Sequence, residues 1–308
     1  MLVTICVSTY QRPAGLKRLM EGLNNLTFRY GENPQIKVIV VDNDPSALAC
    51  GFCQDLHSNF QWDLSCYLEL KRGVSYSRNS AVANADPNTD FFAFIDDDEV
   101  PQNNWLEELL RVQDLYDADI VYGRVVPYFE NDAPDWVIKG KFFEQSRQPT
   151  GASLEAAYTN NVLIKASLLK ERDQVFDERF ALTGGEDSYL FRTLHHHGHS
   201  IIWANDAIVY DWIPDSRMTM QWILMRAYRS CLTYTTWELE VKASGITKVI
   251  PMLKAITQIF LGVLLVLPSV VFSKHIFVKS LMSLYKGAGC LSAFFGLKYE
   301  EYKTVHGS

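Results

Sequence analysis

The sequence predicts an α/β fold, a sheet flanked by helices and followed by a helical, apolar tail. Three observations carry that expectation. Across the first two-thirds of the chain, short β-branched runs alternate with stretches of helical periodicity. The apolar runs end in polar clusters, and after about Asp215 the pattern turns continuously helical.

Leu2 to Val7 reads as a first strand, and a helix follows from about Pro13 to Leu26, where proline suits the first turn. Ile36 to Val41 is a second strand, closed by the turn-forming Asp42-Asn43-Asp44-Pro45. Phe91 to Ile95 is apolar at every position, as a strand buried on both faces should be. A helix is expected over Ser75 to Ala85, and strands at Ile120 to Val126, Val162 to Lys165 and Ser200 to Trp203. A helix from about Glu186 to His197 is stopped by Gly198. Ser216 to Glu238 is a long helical stretch, so the expected division is a catalytic domain over 1–215 and a helical region over 216–308.

The 308 residues, 48% of them hydrophobic, suffice for a full core, and a net charge of −7 argues against a general nucleic-acid binder, which needs a basic surface. Six cysteines (Cys6, Cys50, Cys53, Cys66, Cys231, Cys290) in a chain that opens without a secretory leader pattern point to a reducing cytoplasm. Cys50-Gly51-Phe52-Cys53 has the spacing of a redox pair or half a zinc site, with His57 and Cys66 as further ligands. Without a second Cys-x-x-Cys, ordinary packing cysteines are expected.

Ligands of open α/β sheets lie beyond the carboxyl ends of the strands. Those ends read Ser8-Thr9-Tyr10-Gln11-Arg12, Asp42-Asn43-Asp44 and Asp96-Asp97-Asp98-Glu99. Asp96 and Asp98, two residues apart on extended chain, point the same way and suit one hard cation, Mn²⁺ or Mg²⁺; the alternative is a solvated turn. Glu186 and Asp187 open a helix, and two adjacent carboxylates can raise one pKa toward general-base range; the alternative is helix capping over Thr183 to Asp187. Arg78 offers a planar fork suited to phosphate, or else a surface ion pair. Asn160-Asn161 can contact sugar hydroxyls or simply mark a strand entry. His195-His196-His197-Gly198-His199 fits a helix C-terminus better than a metal site.

Taken together, these motifs resemble the large inverting glycosyltransferase family 2, whose GT-A fold is a Rossmann-like mixed sheet flanked by helices. The string Phe-Phe-Ala-Phe-Ile-Asp-Asp-Asp-Glu-Val-Pro is similar to its metal-binding segment, and Val7-Ser8-Thr9-Tyr10-Gln11-Arg12-Pro13 to its first-strand motif, with Gln11 where asparagine is common. The motifs fall in the family's order over about residues 3 to 215. The resemblance implies that Thr9, Tyr10, Arg12, Asp42, Arg78, Asp96 and Asp97 bind the donor nucleotide, Asp42 meeting the uracil ring and Arg78 the diphosphate. It implies Asp98 as the direct metal ligand, Asp96 as support for nucleotide or metal water, and Asp187 as catalytic base with Glu186 beside it. Asp97 is expected to face the helix that follows. Many relatives complete the metal shell with a histidine near Tyr210-Asp211-Trp212, where this chain has Asp211, an acceptable oxygen ligand.

The implied activity is metal-dependent inverting transfer of one sugar from a nucleotide sugar, a UDP-sugar on the resemblance at Asp42, to a hydroxyl of a lipid-linked or cell-surface glycan. The Gln-x-x-Arg-Trp signature of processive synthases is not reproduced by Gln221-Trp222 and Arg226 to Arg229, which implies single transfer. Arg226 or Arg229 would join Arg78 on the leaving group. Two rivals stand beside this reading. A sugar-phosphate nucleotidyltransferase needs a glycine-rich loop after the first strand, absent from Ser8 to Pro13, and a silent membrane-bound scaffold would have no need of Asp187.

The tail bears on location. Ala255 to Ser273 carries no charge, and its 19 residues would extend roughly 28 Å as a helix. Eight lysines against three glutamates from Glu240 to Ser308 make this region basic on an otherwise acidic chain. That combination suits the anionic cytoplasmic face of the inner membrane. Lysines on both sides favour a re-entrant or interfacial helix over a full span, with a buried hairpin or a dimer interface as the alternative. Gly287-Ala288-Gly289-Cys290-Leu291 through Tyr302 also resembles the end of bacterial exopolysaccharide and lipooligosaccharide transferases.

Overall fold

The structure, a computed structural model, describes residues 1–29, 33–170, 172 and 174–301. Tyr302 and Lys303, used above for the tail, lie outside them. In chain order the elements are β1 (Leu2–Thr9), α1 (Pro13–Asn24), β2 (Gln35–Asp42), α2 (Leu48–Leu56), β3 (Asp63–Leu68), α3 (Val74–Ala83), β4 (Phe91–Ile95), β5 (Glu99–Pro101), α4 (Trp105–Tyr116), β6 (Ile120–Phe129), α5 (Asp135–Gly140), β7 (Asn161–Lys165), α6 (Ser167–Lys170), α7 (Glu186–His196), β8 (Ile201–Ile213), α8 (Met220–Trp237), α9 (Val249–Ser269) and α10 (Lys274–Phe294). The strands form one mixed sheet in the order β3-β2-β1-β4-β7-β6-β8-β5. β3, β2, β1 and β4 run parallel, whereas β4 with β7, β7 with β6 and β5 with β8 pair antiparallel. The mixed sheet flanked by helices is the architecture expected from the sequence.

Two-residue alternation builds a core on each face. Val3, Ile5 and Val7 of β1, Val38 and Val40 of β2, and Ala93 and Ile95 of β4 pack with α1 and α4; Cys6, Ile39, Val41, Phe92 and Phe94 pack on the other side with α7. Because both faces are covered, function is left to the strand ends.

The described residues divide into two compact units, one within 1–128, 145–212 and 301, the other within 129–144 and 213–300. In the second, α5 meets Ile213 and Met218, and Ile223 and Leu224 of α8 meet Val278 of α10. The seam between α9 and α10 needs residues without side chains. A Cβ at Gly262 would sit 2.6 Å from Leu284, and one at Gly287 2.5 Å from Ile259.

Two sequence expectations are corrected here. Asn161, considered for sugar contact, is fully buried and ties the core: its Oδ1 accepts from Trp105 Nε1 at 2.7 Å, and its Nδ2 donates to the carbonyls of Arg124 (2.9 Å) and Ala207 (2.8 Å). Asn161→Leu strands three buried polar groups, so chemical denaturation should show a loss of roughly 2–4 kcal/mol. Cys50 and Cys66, expected as ordinary packing cysteines of a reducing cytoplasm, are joined by a disulfide across 16 residues that fixes α2 to β3, a bond that runs against that compartment as well. Neither a Cys50/Cys53 redox pair nor a zinc site forms, and Cys53 is a buried thiol whose pKa burial pushes up to about 12. Closing a loop of that length stabilises by about 3 kcal/mol, so Cys50→Ser should melt at lower temperature than the oxidised protein and at the same temperature as the reduced one.

Candidate active site

The carboxyl ends of β1, β2 and β4 converge, as parallel neighbours must. Beyond β4 the acidic run turns back on β1. Asp97 is buried; it accepts from Thr9 Oγ1 at 2.8 Å and from Arg12 Nη1 at 2.9 Å, and the same Nη1 reaches Asp98 Oδ2 at 3.0 Å. This corrects the expectation for Asp97, which turns to the first-strand motif rather than to the helix that follows. α1 lies close enough that a Cβ at Gly15 would be 2.6 Å from the Asp97 carbonyl oxygen. Arg12 thus braces two members of the run from the far side of the turn.

Arg78 holds the other end. It is only 6% exposed, and its fork donates through Nη2 to Asp96 Oδ1 at 2.7 Å and through Nη1 to Glu186 Oε1. A surface ion pair is therefore excluded, because the guanidinium lies between two carboxylates from separate elements. Glu186 is 2% exposed and its Oε2 is buried without a hydrogen-bond partner. Burial, reinforced by Asp187 and opposed by Arg78, raises its pKa to about 7. The expected upward shift is present, with burial rather than the adjacent carboxylate as its main cause.

The capping reading of Thr183 to Asp187 is not realised: the N-cap of α7 is Gly185, at φ +92°, without a side-chain cap bond. Asp187 Oδ1 accepts from Ser188 N at 2.6 Å, while Oδ2 lies 3.4 Å from both the backbone nitrogen and Oγ1 of Thr159. Thr159 is a site residue that sequence reasoning missed.

Asp42 is buried and makes the turn expected of it, accepting from Asp44 N at 3.0 Å and Ala49 N at 2.9 Å. Each oxygen keeps a second lone pair. Its neighbour Asn43, also missed, binds the carbonyls of Glu69 and Lys71 and the amide of Gly73, which sets the loop leading into α3. Tyr10 lies under the Arg72 guanidinium, 4.8 Å from ring centroid to Cζ.

Glu99 is the third omission. It is fully buried, it accepts from Asp96 N at 3.0 Å, and in β5 it pairs with Asp211 of β8. Burial and then Asp96, Asp211 and Asp98 push its pKa well up. Burial likewise raises Asp96 and Asp97. Among the described residues no three His, Cys, Asp or Glu side chains are gathered to hold a metal ion, so Asp96, Asp98 and Asp211 do not form a cage by themselves. The alternation apolar-polar could have flagged Glu99, an acid inside a strand. The remaining motifs play other parts: His195 and His197 contact backbone carbonyls at the end of α7, and Arg226 of the helical unit stacks on Trp222.

Comparison with known proteins gives this arrangement its class. The family described as Glycosyl transferase family 2 matches residues 4–171. The succinoglycan biosynthesis protein ExoM of Rhizobium meliloti (strain 1021) is 30% identical over 236 residues, which is 75% of this chain and 74% of that protein. Among solved structures, the mannosyltransferase PcManGT from Pyrobaculum calidifontis, in complex with GDP-Man and Mn²⁺, superposes with a TM-score of 0.64 at 15% identity, covering 96% of this chain and 87% of its own. TarS 1–349 of S. aureus in complex with UDP gives 0.55 at 15% identity, covering 100% and 95%. On these matches the chain is a member of glycosyl transferase family 2, a glycosyltransferase with the GT-A fold.

Proposed function

We propose that the protein transfers one sugar, with inversion, from a UDP-sugar to a hydroxyl of a lipid-linked or cell-surface glycan precursor. The observation that carries this reading is the Arg78 fork, which fastens the acidic strand end at Asp96 to the α7 start at Glu186-Asp187. Donor diphosphate and acceptor base are thereby held by one buried cation. Asp187 takes the proton of the acceptor hydroxyl, whose oxygen attacks the anomeric carbon opposite the departing UDP. Arg78 stabilises the charge developing on the diphosphate. Asp42 accepts from the uracil ring N–H, and Thr9, Tyr10 and Arg12 shape the nucleotide cleft. TarS in complex with UDP supports the choice of uridine, and the mannosyltransferase with Mn²⁺ supports a divalent cation.

The donor set fits such an ion by chemistry. Asp96, Asp98, Glu99 and Asp211 supply only hard oxygens, and a cation beside them would offset the burial and the neighbouring charges that raise Glu99. Asp98 and Asp96 would hold it, with Asp211 beside them and the donor completing the shell. Bound there, Mn²⁺ or Mg²⁺ would neutralise the diphosphate and make it a better leaving group. A panel of nucleotide sugars assayed for nucleotide release with Mn²⁺ and with chelator tests the reading: UDP-sugars should be consumed only with metal. Equal turnover under chelation would remove the metal, and selective use of GDP-sugars would remove the role of Asp42.

The helical unit supports work at the cytoplasmic face of the inner membrane, as does the relative's part in succinoglycan biosynthesis. Among the described residues one helix, Gly245–Ser269, is long and apolar enough to cross a membrane by length and composition. α9 is covered only along Pro251, Ala255, Gly262 and Ser269, and exposes Leu253, Phe260, Leu264 and Leu267 around the remainder. An interfacial helix needs a polar face along its length, whereas the exposed polar residues of α9 are Lys254 and Thr257 near its start; this favours insertion into hydrocarbon over the interfacial helix expected from the sequence. Replacing Leu264, Leu267, Val271 and Phe272 with serine alters exposed positions alone. The wild type should float with anionic vesicles and this variant should not; equal flotation would sink the anchoring reading.

A further inference from the structure

The mechanism above uses nothing to hold the acceptor, and the segment that supports Asp187 carries an unused feature. From Ala157 to Asn161 burial alternates: Ala157, Thr159 and Asn161 are at most 1% exposed, whereas Tyr158 is 39% exposed and Asn160 half-buried. Thr159 faces inward to the Asp187 carboxylate. Its two neighbours face outward, one residue to either side of that contact.

Both neighbours are held in place. The Tyr158 ring stands edge-on to Tyr122 with centroids 5.7 Å apart, and Tyr122 packs in turn against Trp203 at 5.7 Å. A polar chain fixes Asn160. Gln145 Nε2 donates to the Tyr122 hydroxyl at 2.7 Å, so that hydroxyl directs its own proton to Asn160 Oδ1 at 3.2 Å. The amide is oriented by that bond, with Nδ2 left as the outward donor. Burial, first of all, raises the Tyr122 pKa, with Tyr158, Glu99 and last Asp187 adding to it.

An exposed, rigid aromatic face beside an oriented amide donor is the pairing a pyranose requires. Its C–H face meets the negative face of a ring, and its hydroxyls meet a fixed donor. We propose that Tyr158 and Asn160 form the platform that receives the terminal pyranose of the acceptor. Tyr158 stacks on its C–H face and Asn160 Nδ2 binds a ring hydroxyl, which sets the attacking hydroxyl against Asp187. The proposal rests on the glycosyltransfer reading and deepens it at the acceptor side.

Octyl β-glycosides of glucose, galactose and N-acetylglucosamine serve as acceptor probes for the full-length protein, with UDP release as the readout. Tyr158→Ala should raise the KM of the stimulating glycoside roughly 3- to 10-fold while the KM for the UDP-sugar moves less than about twofold. Tyr158→Phe, which keeps the ring, should restore the wild-type value. Asn160→Ala should raise the same KM. An acceptor KM unmoved in Tyr158→Ala overturns the platform, as does a donor KM that rises in parallel. A wild type that releases UDP but responds to none of the glycosides overturns it too, because a stacking ring reads the pyranose face they share. Absence of UDP release from the wild type with every donor overturns the glycosyltransfer reading itself, and the platform with it.

Discussion

Asp187→Asn is expected to lower sugar transfer by roughly 10²- to 10⁴-fold while the KM for the UDP-sugar stays close to wild type. Asp187 is anchored at one oxygen by Ser188 N and touched at the other by Thr159, contacts that a neutral amide can partly keep, so the variant should fold and bind donor. What it loses is the basicity needed to take the acceptor proton. The neighbouring Glu186 is a poor substitute, because it is 2% exposed and its Oε1 is taken by the Arg78 guanidinium. Transfer rates undiminished in Asp187→Asn would transfer the role of base elsewhere.

The second large effect is expected at Arg78. Arg78→Met removes the cation that bridges Glu186 and the half-exposed Asp96 and leaves the buried Glu186 carboxyl without its partner, which costs about 3 kcal/mol. The pH dependence fixes the sign. Glu186 has a folded pKa of about 7 against an ordinary value of 4.5, so between those pH values the folded protein binds more protons than the unfolded chain. Its contribution to stability is full below about pH 4.5 and is lost as pH rises through about 7, a change of order 3 kcal/mol. Arg78 opposes the upward shift, so without it the carboxyl stays protonated to higher pH. Urea unfolding should then show the Arg78→Met penalty to be smaller at pH 5 than at pH 8. A penalty equal at both values would mean that Glu186 is not the group under strain.

Much of the sheet was legible because β1, β2 and β4 are β-branched or aromatic runs with abrupt polar ends, and burial on both faces leaves no other arrangement for Phe91 to Ile95. β3 and α2 were not. Asp63–Leu68 mixes serine and cysteine with apolar residues, and Leu48–Leu56 contains glycine and two cysteines, so neither shows a clean period. Their disulfide was illegible for the same reason, since pairing Cys50 with Cys66 requires knowing that α2 lies against β3. At the site, residue types and order marked Thr9, Asp42, Arg78, the aspartate run and Glu186-Asp187. Their partners depended on how α3 meets α7, a tertiary relation without local signature. The same holds for Asn161, where a strand-entry asparagine proved to be a core tie whose three hydrogen bonds come from α4, β6 and β8. Arg12 shows the intermediate case. Its place in the first-strand motif was readable, but its hold on Asp97 and Asp98 depended on α1 packing close through Gly15.

In the proposed function the strand-end carboxylates hold a nucleotide diphosphate through a divalent cation, with Arg78 beside it. Calorimetric titration of the full-length protein with UDP, in Mn²⁺ and in chelator, tests it most directly, with Asp98→Ala alongside the wild type. The account predicts saturable binding to the wild type in Mn²⁺ that is lost on chelation and in Asp98→Ala. UDP bound equally well by Asp98→Ala, or without metal, would contradict it.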